Sequence, residues 1–218
     1  MWWKIIILML MTAVIVAAFV TEPPQQQIGP ASRIFYFHIP VAWVSVIAFT
    51  MSMIYSIRFL ARRDLVEDDK AVEAARLGLI FCVLATISGS IFARVTWGSF
   101  WNWDPRETSI FVLLLIYGAY FALRRAVDVE EKRATLAAAY AILAFVTVPM
   151  LVFVVPRVMP SLHPGDSIAD SNLQFMMSTR VGLILATALI SFTAIYLWLF
   201  NVARRIRILE RSLTEQEL

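Results

Sequence analysis

Six runs of mostly apolar residues, at 5–20, 34–57, 74–93, 105–123, 134–156 and 181–202, alternate with short segments that carry nearly all of the charge. In a helix rising 1.5 Å per residue, runs of about 16 to 24 residues reach about 24 to 36 Å, a range that brackets the about 30 Å of hydrocarbon a span must cross. A chain crossing lipid must satisfy its backbone hydrogen bonds internally, which makes each run a helix. The pattern predicts an all-α polytopic membrane protein with six transmembrane helices, forming one transmembrane domain over residues 1–218. The first run is short and follows a single lysine, as in a signal peptide. No convincing small-residue cleavage site precedes Glu22, so the run is read as a helix.

Composition agrees with this reading: the 218 residues are 60% hydrophobic and 16% charged, outside the range of soluble domains. The cations sort by side. Lys4, Arg58, Arg62, Arg63, Lys70, Arg76, Arg124, Arg125, Lys132, Arg133, Arg204, Arg205, Arg207 and Arg211 fall on one side, and Arg33, Arg94, Arg106, Arg157 and Arg180 on the other. By the positive-inside rule both termini are cytoplasmic. The net charge of +3 is then a topology signal and gives no reason to expect nucleic acid as a partner. The connections around 62–70 and 125–133 are short, charged and free of motifs, and read as plain helical hairpin turns. The tail after Arg204 reads as a short charged helix end. The single cysteine, Cys82, lies within the third run, which excludes a disulfide framework and a CxxC redox pair.

Three outward segments remain for function: 22–33, 94–104 and 157–179. The second opens the sequence WGSFWNWDPRET at residues 97–108, with Trp97, Trp101 and Trp103 inside seven residues. Three indoles in one loop form an apolar patch that needs a cover, whether bilayer interface, partner or flat ligand. An interfacial aromatic belt explains Trp2, Trp3 and Trp198, but it explains this cluster poorly because belts spread over many helix ends. Trp43, one turn inside the second run, reads equally as belt or as cavity wall. In the last outer segment, Ile168, Leu173, Phe175, Met176 and Met177 among polar neighbours suggest an interfacial helix, with a plain surface connection as the simpler reading.

The only two histidines, His38 in FYFHIP and His163 in SLHPG, both fall on the tryptophan side. Two imidazoles from separate elements, with flat aromatic walls between them, suit an iron porphyrin, whose iron takes neutral imidazole nitrogens axially. One fully buried Trp covers about 200 Å², worth at most about 5 kcal/mol at about 25 cal/mol per Å², so stacked indoles hold such a ring well. Arg94, Arg106 and indole N–H groups are the nearby donors for its propionates. Asp104, Pro105 and Glu107 stand where a helix start wants an N-cap, a first-turn proline and the third-position acid of a capping box; a direct ligand or proton-transfer role is the alternative. Pro40 puts His38 either at a kink or at a true helix start.

The motif WGSFWNWDPRET, with FYFHIPVAW around His38 and SLHPG around His163, resembles the tryptophan-rich haem-handling proteins of cytochrome c maturation. Over nearly its full length the chain is similar to the CcmC (haem exporter protein C) family. The resemblance implies a multi-pass protein of the inner, cytoplasmic membrane with a periplasm-facing site for non-covalent b-type haem. His38 and His163 would be the iron ligands and Trp97, Trp101, Trp103 and Asp104 the walls. It also implies work beside the ABC-transporter subunits CcmA and CcmB, with CcmD a further candidate subunit, and delivery to the haem chaperone CcmE, a handling role with no catalysis. The WDPRET stretch also resembles the CcsA branch, which makes a CcsA-like cytochrome c haem lyase the first alternative. A bis-histidine electron-transfer cytochrome is the second, disfavoured because both histidines lie at one face with no second pair.

Overall fold

A computed structural model describes residues 2–21, 29–163 and 178–216. Its elements are α1 (Trp2–Val20), a 3-10 helix (Gly29–Ile34), α2 (Phe35–Arg62), α3 (Leu65–Trp97), α4 (Pro105–Ala126), α5 (Glu130–Pro149), a π-helical turn (Met150–Val154), α6 (Val155–Val158) and α7 (Thr179–Gln216). Among the described residues there is no strand, and six helices, counting the α5–α6 stretch as one, are long and apolar enough to cross a membrane. The six expected spans are therefore present, each extending past its apolar run. The proposed interfacial helix falls on residues that lie outside those described, apart from the start of α7.

Helix ends follow local chemistry. Arg63 closes α2 in the left-handed conformation (φ 57°), and Asp64 starts α3 by accepting the Val66 N–H at 2.9 Å, so two residues turn the chain. Arg33 donates to the carbonyls of Ala18 (2.8 Å) and Thr21 (3.1 Å), satisfying acceptors that the end of α1 leaves open. Pro149 and Pro156 lack the N–H that a continuous ladder needs, and the π turn lies between them.

The core forms where α2, α3, α4 and α5 meet. Phe49 stacks on Tyr117 with ring centroids 3.5 Å apart, and Gly78 makes room: a Cβ there would stand 2.7 Å from the Phe49 ring. At one end, Trp3 meets Trp198 edge-on at 5.8 Å, with Lys4 Nζ 4.9 Å from the Trp198 centroid, an arrangement typical of a membrane interface.

This basic end departs from the sequence expectation. The stretch read as a plain turn is the first two turns of α3, and it buries Glu67, Asp68, Asp69 and Glu73. Arg124 of α4 grips Asp68 through two 2.7 Å bonds. Asp69 receives Arg207 (3.2 Å) and Arg211 (2.8 Å), and Arg211 reaches Glu130 at the start of α5 (2.8 Å). The tail after Arg204 is thus the last part of α7, pinned to α3. The hydrophobic pattern could not signal this, because partners 56 and 142 positions apart leave no periodicity.

At the other end, α3 outgrows its neighbour. Cys82 Sγ lies 4.0 Å from the Ile110 carbonyl and marks a common level. From there α3 runs fifteen residues to Trp97 whereas α4 begins five residues back at Pro105, so α3 overtops α4 by about ten residues, or about 15 Å. The tryptophan loop descends along this overhang.

Candidate functional site

His38 stands in the first turn of α2; Pro40 is buried within the helix, which continues unbroken to Arg62. Of the two geometries left open by the sequence, the histidine takes the helix start. Its Nδ1 lies 2.9 Å from Ser88 Oγ on α3, and its ring covers Gly89, where a Cβ would stand 2.9 Å from Cε1. Both His163 and Arg106 are near enough to act electrostatically on this ring.

The tryptophan loop begins at Gly98, which ends α3 at φ +82°, a conformation glycine adopts without strain. Ser90 then donates to the Phe100 carbonyl (2.7 Å) and folds the loop back on the overhang of α3. Trp103 takes φ +56°, uncommon for a bulky residue, and the backbone on either side is held: Glu107 accepts the N–H of Asn102 (2.7 Å) and of Asp104 (3.4 Å). Asp104 Oδ1 accepts the Arg106 N–H at 2.9 Å, completing the expected capping box. Trp101 meets Trp103 at 5.8 Å and Phe111 at 6.0 Å, both edge-on. These three rings line a depression of about 200 Å³, smaller than pockets that enclose a drug-sized ligand, so they form an open platform.

Asp104 also reaches across to the segment after α6. Its Oδ2 accepts from the Leu162 N–H (2.7 Å) and the Ser161 hydroxyl (2.9 Å), and its Oδ1 lies 3.3 Å from His163 Nδ1. Burial pushes this carboxyl up, but the hydrogen bonds from Arg106, Leu162 and Ser161, with His163 beside it, hold it below the ordinary aspartate value. His163 meets Trp97 edge-on at 4.7 Å, so this imidazole is seated between an indole and a carboxylate.

Trp97, Asp104 and His163 are thus brought into direct contact, with His38 and Arg106 in electrostatic range and the Trp101–Trp103 pair on the same loop. Two sequence candidates stand apart. Arg94 folds onto its own loop, donating to the Gly98 carbonyl and lying 5.6 Å from the Phe100 centroid. Trp43 is five residues from His38, about 140° around α2, and is exposed. Sequence reasoning missed Ser88, Gly89 and Ser161, and it missed that Asp104 clamps a second loop. Small residues inside an apolar run at 88–90, and a serine two positions before a histidine, were the available signals.

The fold and this end of it define a polytopic helical membrane protein that gathers its only two histidines and a tryptophan loop at one end of the bundle. The chain belongs to the CcmC family, described as heme exporter protein C, which it matches over residues 1–218. It is 31% identical over 196 residues to the heme exporter protein C of Bradyrhizobium diazoefficiens, covering 90% of this chain and 74% of that one. The Paracoccus denitrificans protein of the same name is 30% identical over 192 residues, 88% and 79% of the two chains. A shorter match, 40% identical over 57 residues, covers 26% of this chain and 18% of the cytochrome c biogenesis protein CcsA of Manihot esculenta.

Proposed function

We propose that this protein holds b-type haem, without a covalent bond, at the outer face of the inner membrane and presents it to the haem chaperone CcmE during cytochrome c maturation. It does so beside the ABC-transporter subunits CcmA and CcmB, and its part is handling, with no catalysis. The observation that carries the reading is that His38 and His163, the only histidines of the chain, both lie at the tryptophan end, each with its Nδ1 engaged by protein groups. A metal-binding histidine is ordinarily oriented in this way through its other nitrogen. Relatives named heme exporter protein C support the same class of cargo.

The donor set fits a porphyrin better than a bare ion, since among the described residues no cluster of three His, Cys, Asp or Glu side chains could hold a metal. When bound, haem would supply an iron that takes imidazole nitrogens and a flat apolar face. His38 and His163 would ligate the iron, Trp97, Trp101 and Trp103 would cover apolar surface, and Arg106 would offer a cation to a propionate. The platform of Trp101, Trp103 and Phe111 is open, which leaves an edge accessible to an acceptor.

Absorbance spectra of the detergent-purified protein, prepared with CcmE present, test the proposal. The wild type is expected to carry a Soret band that shifts or weakens in both His38→Ala and His163→Ala. A colourless wild type from haem-replete cells overturns it. The local CcsA likeness favours a second reading, attachment of haem to apocytochrome c; covalent haem on an added apocytochrome, formed without CcmE, would select that one.

A further inference from the structure

The geometry points to Ser88 and Gly89 of α3 as the positioning pair for His38: Ser88 fixes the imidazole as the Nδ1–H tautomer, and Gly89 sets how close the ring lies to the helix. This rests on the haem-ligand reading above. A serine hydroxyl has one proton to give. Ser88 Oγ lies 2.8 Å from the Leu84 carbonyl and 3.2 Å from that of Ala85, acceptors that can only receive it. Toward His38, 2.9 Å away, the same oxygen is therefore the acceptor, and Nδ1 carries the hydrogen. The lone pair is left on Nε2.

The second histidine repeats the device. Ser161 donates its proton to Asp104 Oδ2 (2.9 Å), so toward His163 Nδ1, 3.2 Å away, its oxygen accepts. A serine on a helix for His38, and a serine with the Asp104 carboxylate (Oδ1 3.3 Å from Nδ1) for His163, thus place the hydrogen on Nδ1 of both imidazoles. Free histidine in water prefers the opposite tautomer, so these acceptors select the form suited to ligation through the far nitrogen. Gly89 supplies the reach. Because a Cβ there would stand 2.9 Å from Cε1 and 3.6 Å from each ring nitrogen, any side chain pushes the ring off its seat.

The tautomer is readable without haem. In the haem-free, 15N-histidine-labelled protein in detergent at about pH 8, above the usual histidine range, only two imidazoles give signals, and His163→Ala identifies that of His38. The expected result is a protonated Nδ1 on His38, a move toward the Nε2–H form in Ser88→Ala, and the wild-type form in Ser88→Thr. In the haem-loaded protein, Ser88→Ala should weaken haem affinity about 10- to 100-fold, the usual cost of losing an orienting partner. Gly89→Ala should lose the low-spin signature of two imidazoles and regain it on adding imidazole. An Nε2–H wild type, or a Ser88→Ala protein with unchanged tautomer and haem affinity, overturns the inference even while the wild type binds haem. Absence of haem from the wild type instead overturns the parent reading.

Discussion

Replacing Asp104 with alanine removes one carboxylate from two jobs, and the two can be weighed separately. As N-cap of α4 it accepts the Arg106 N–H, a contribution of about 1 kcal/mol. As clamp it accepts from the Ser161 hydroxyl and the Leu162 N–H, and bonds to an ionised acceptor are worth about 1.5–3 kcal/mol each. Ser161 and Leu162 are partly open to water, so the lower figure applies and the clamp is worth about 3 kcal/mol. At 1.4 kcal/mol per decade, releasing the His163 segment should weaken haem binding about 100-fold. Asp104→Ser separates the terms, because serine caps a helix about as well as aspartate but has one oxygen and cannot also hold the far loop. Haem titration followed at the Soret band, paired with thermal unfolding of the haem-free protein, reads both. Both variants should lose affinity together with the clamp's share of stability, and Asp104→Ala should lose the further ~1 kcal/mol of the cap. An Asp104→Ser protein binding haem within about threefold of wild type refutes the clamp, since a lost bond pair worth even 1 kcal/mol exceeds that factor.

The same carboxyl gives a pH expectation. A carboxyl held below its ordinary value contributes stability that is complete above the unfolded value near 3.9 and is lost as pH falls through the lower folded value. In the haem-free His163→Ala protein, where no imidazole adjoins the carboxylate, the Leu162 amide resonance should therefore stay constant from neutral pH to about 5 and move only in stronger acid. At the basic end, Asp68→Ala or Arg124→Ala strands a buried charge and should cost about 3–5 kcal/mol in thermal unfolding, while a Met or Leu pair at both positions should be near neutral. Gly78→Ala forces a Cβ to 2.7 Å from Phe49 and should destabilise by about 1–3 kcal/mol. Trp103 is 71% exposed, so Trp103→Ala should leave the unfolding temperature nearly unchanged yet lower haem retention; unchanged retention would return this indole to an interfacial role.

What the sequence made legible is what periodicity and residue scarcity encode. Apolar runs of about the length a bilayer requires located all six spans, and having just two histidines made their common end visible once the charges were sorted. The Asp104–Glu107 cap was legible because it closes within four residues. Long-range polar contacts were not. Ser88 lies 50 positions from His38, and Ser161 lies 57 from Asp104. Inside an apolar run a serine donating to its own helix is unremarkable, as Thr50, Thr86 and Ser191 also do so. Only the approach of an imidazole gives Ser88 a second task. Likewise Arg94 and Arg106 look alike in the sequence as cations on the tryptophan side, and only the structure separates the guanidinium folded onto its own loop from the half-buried residue in the capping turn of α4.

The two histidines reach the same end by constructions of unequal strength. His38 rides on a 28-residue helix and rests against the backbone of another, so moving it means moving packed helices or distorting α2. His163 follows α6, and the described ties of residues 159–163 to the rest of the chain include hydrogen bonds to the Asp104 carboxylate and an edge contact with Trp97. Local opening is cheapest where few apolar contacts must break, and by that measure the His163 side yields first. A protein built to keep a ligand permanently would gain from two rigid axial mounts. One that must surrender it gains from one rigid mount and one held by a clamp of a few kcal/mol, because the second can let go without disturbing the fold. Under the proposed function, Asp104 is then the residue whose bonds set how firmly the cargo is held.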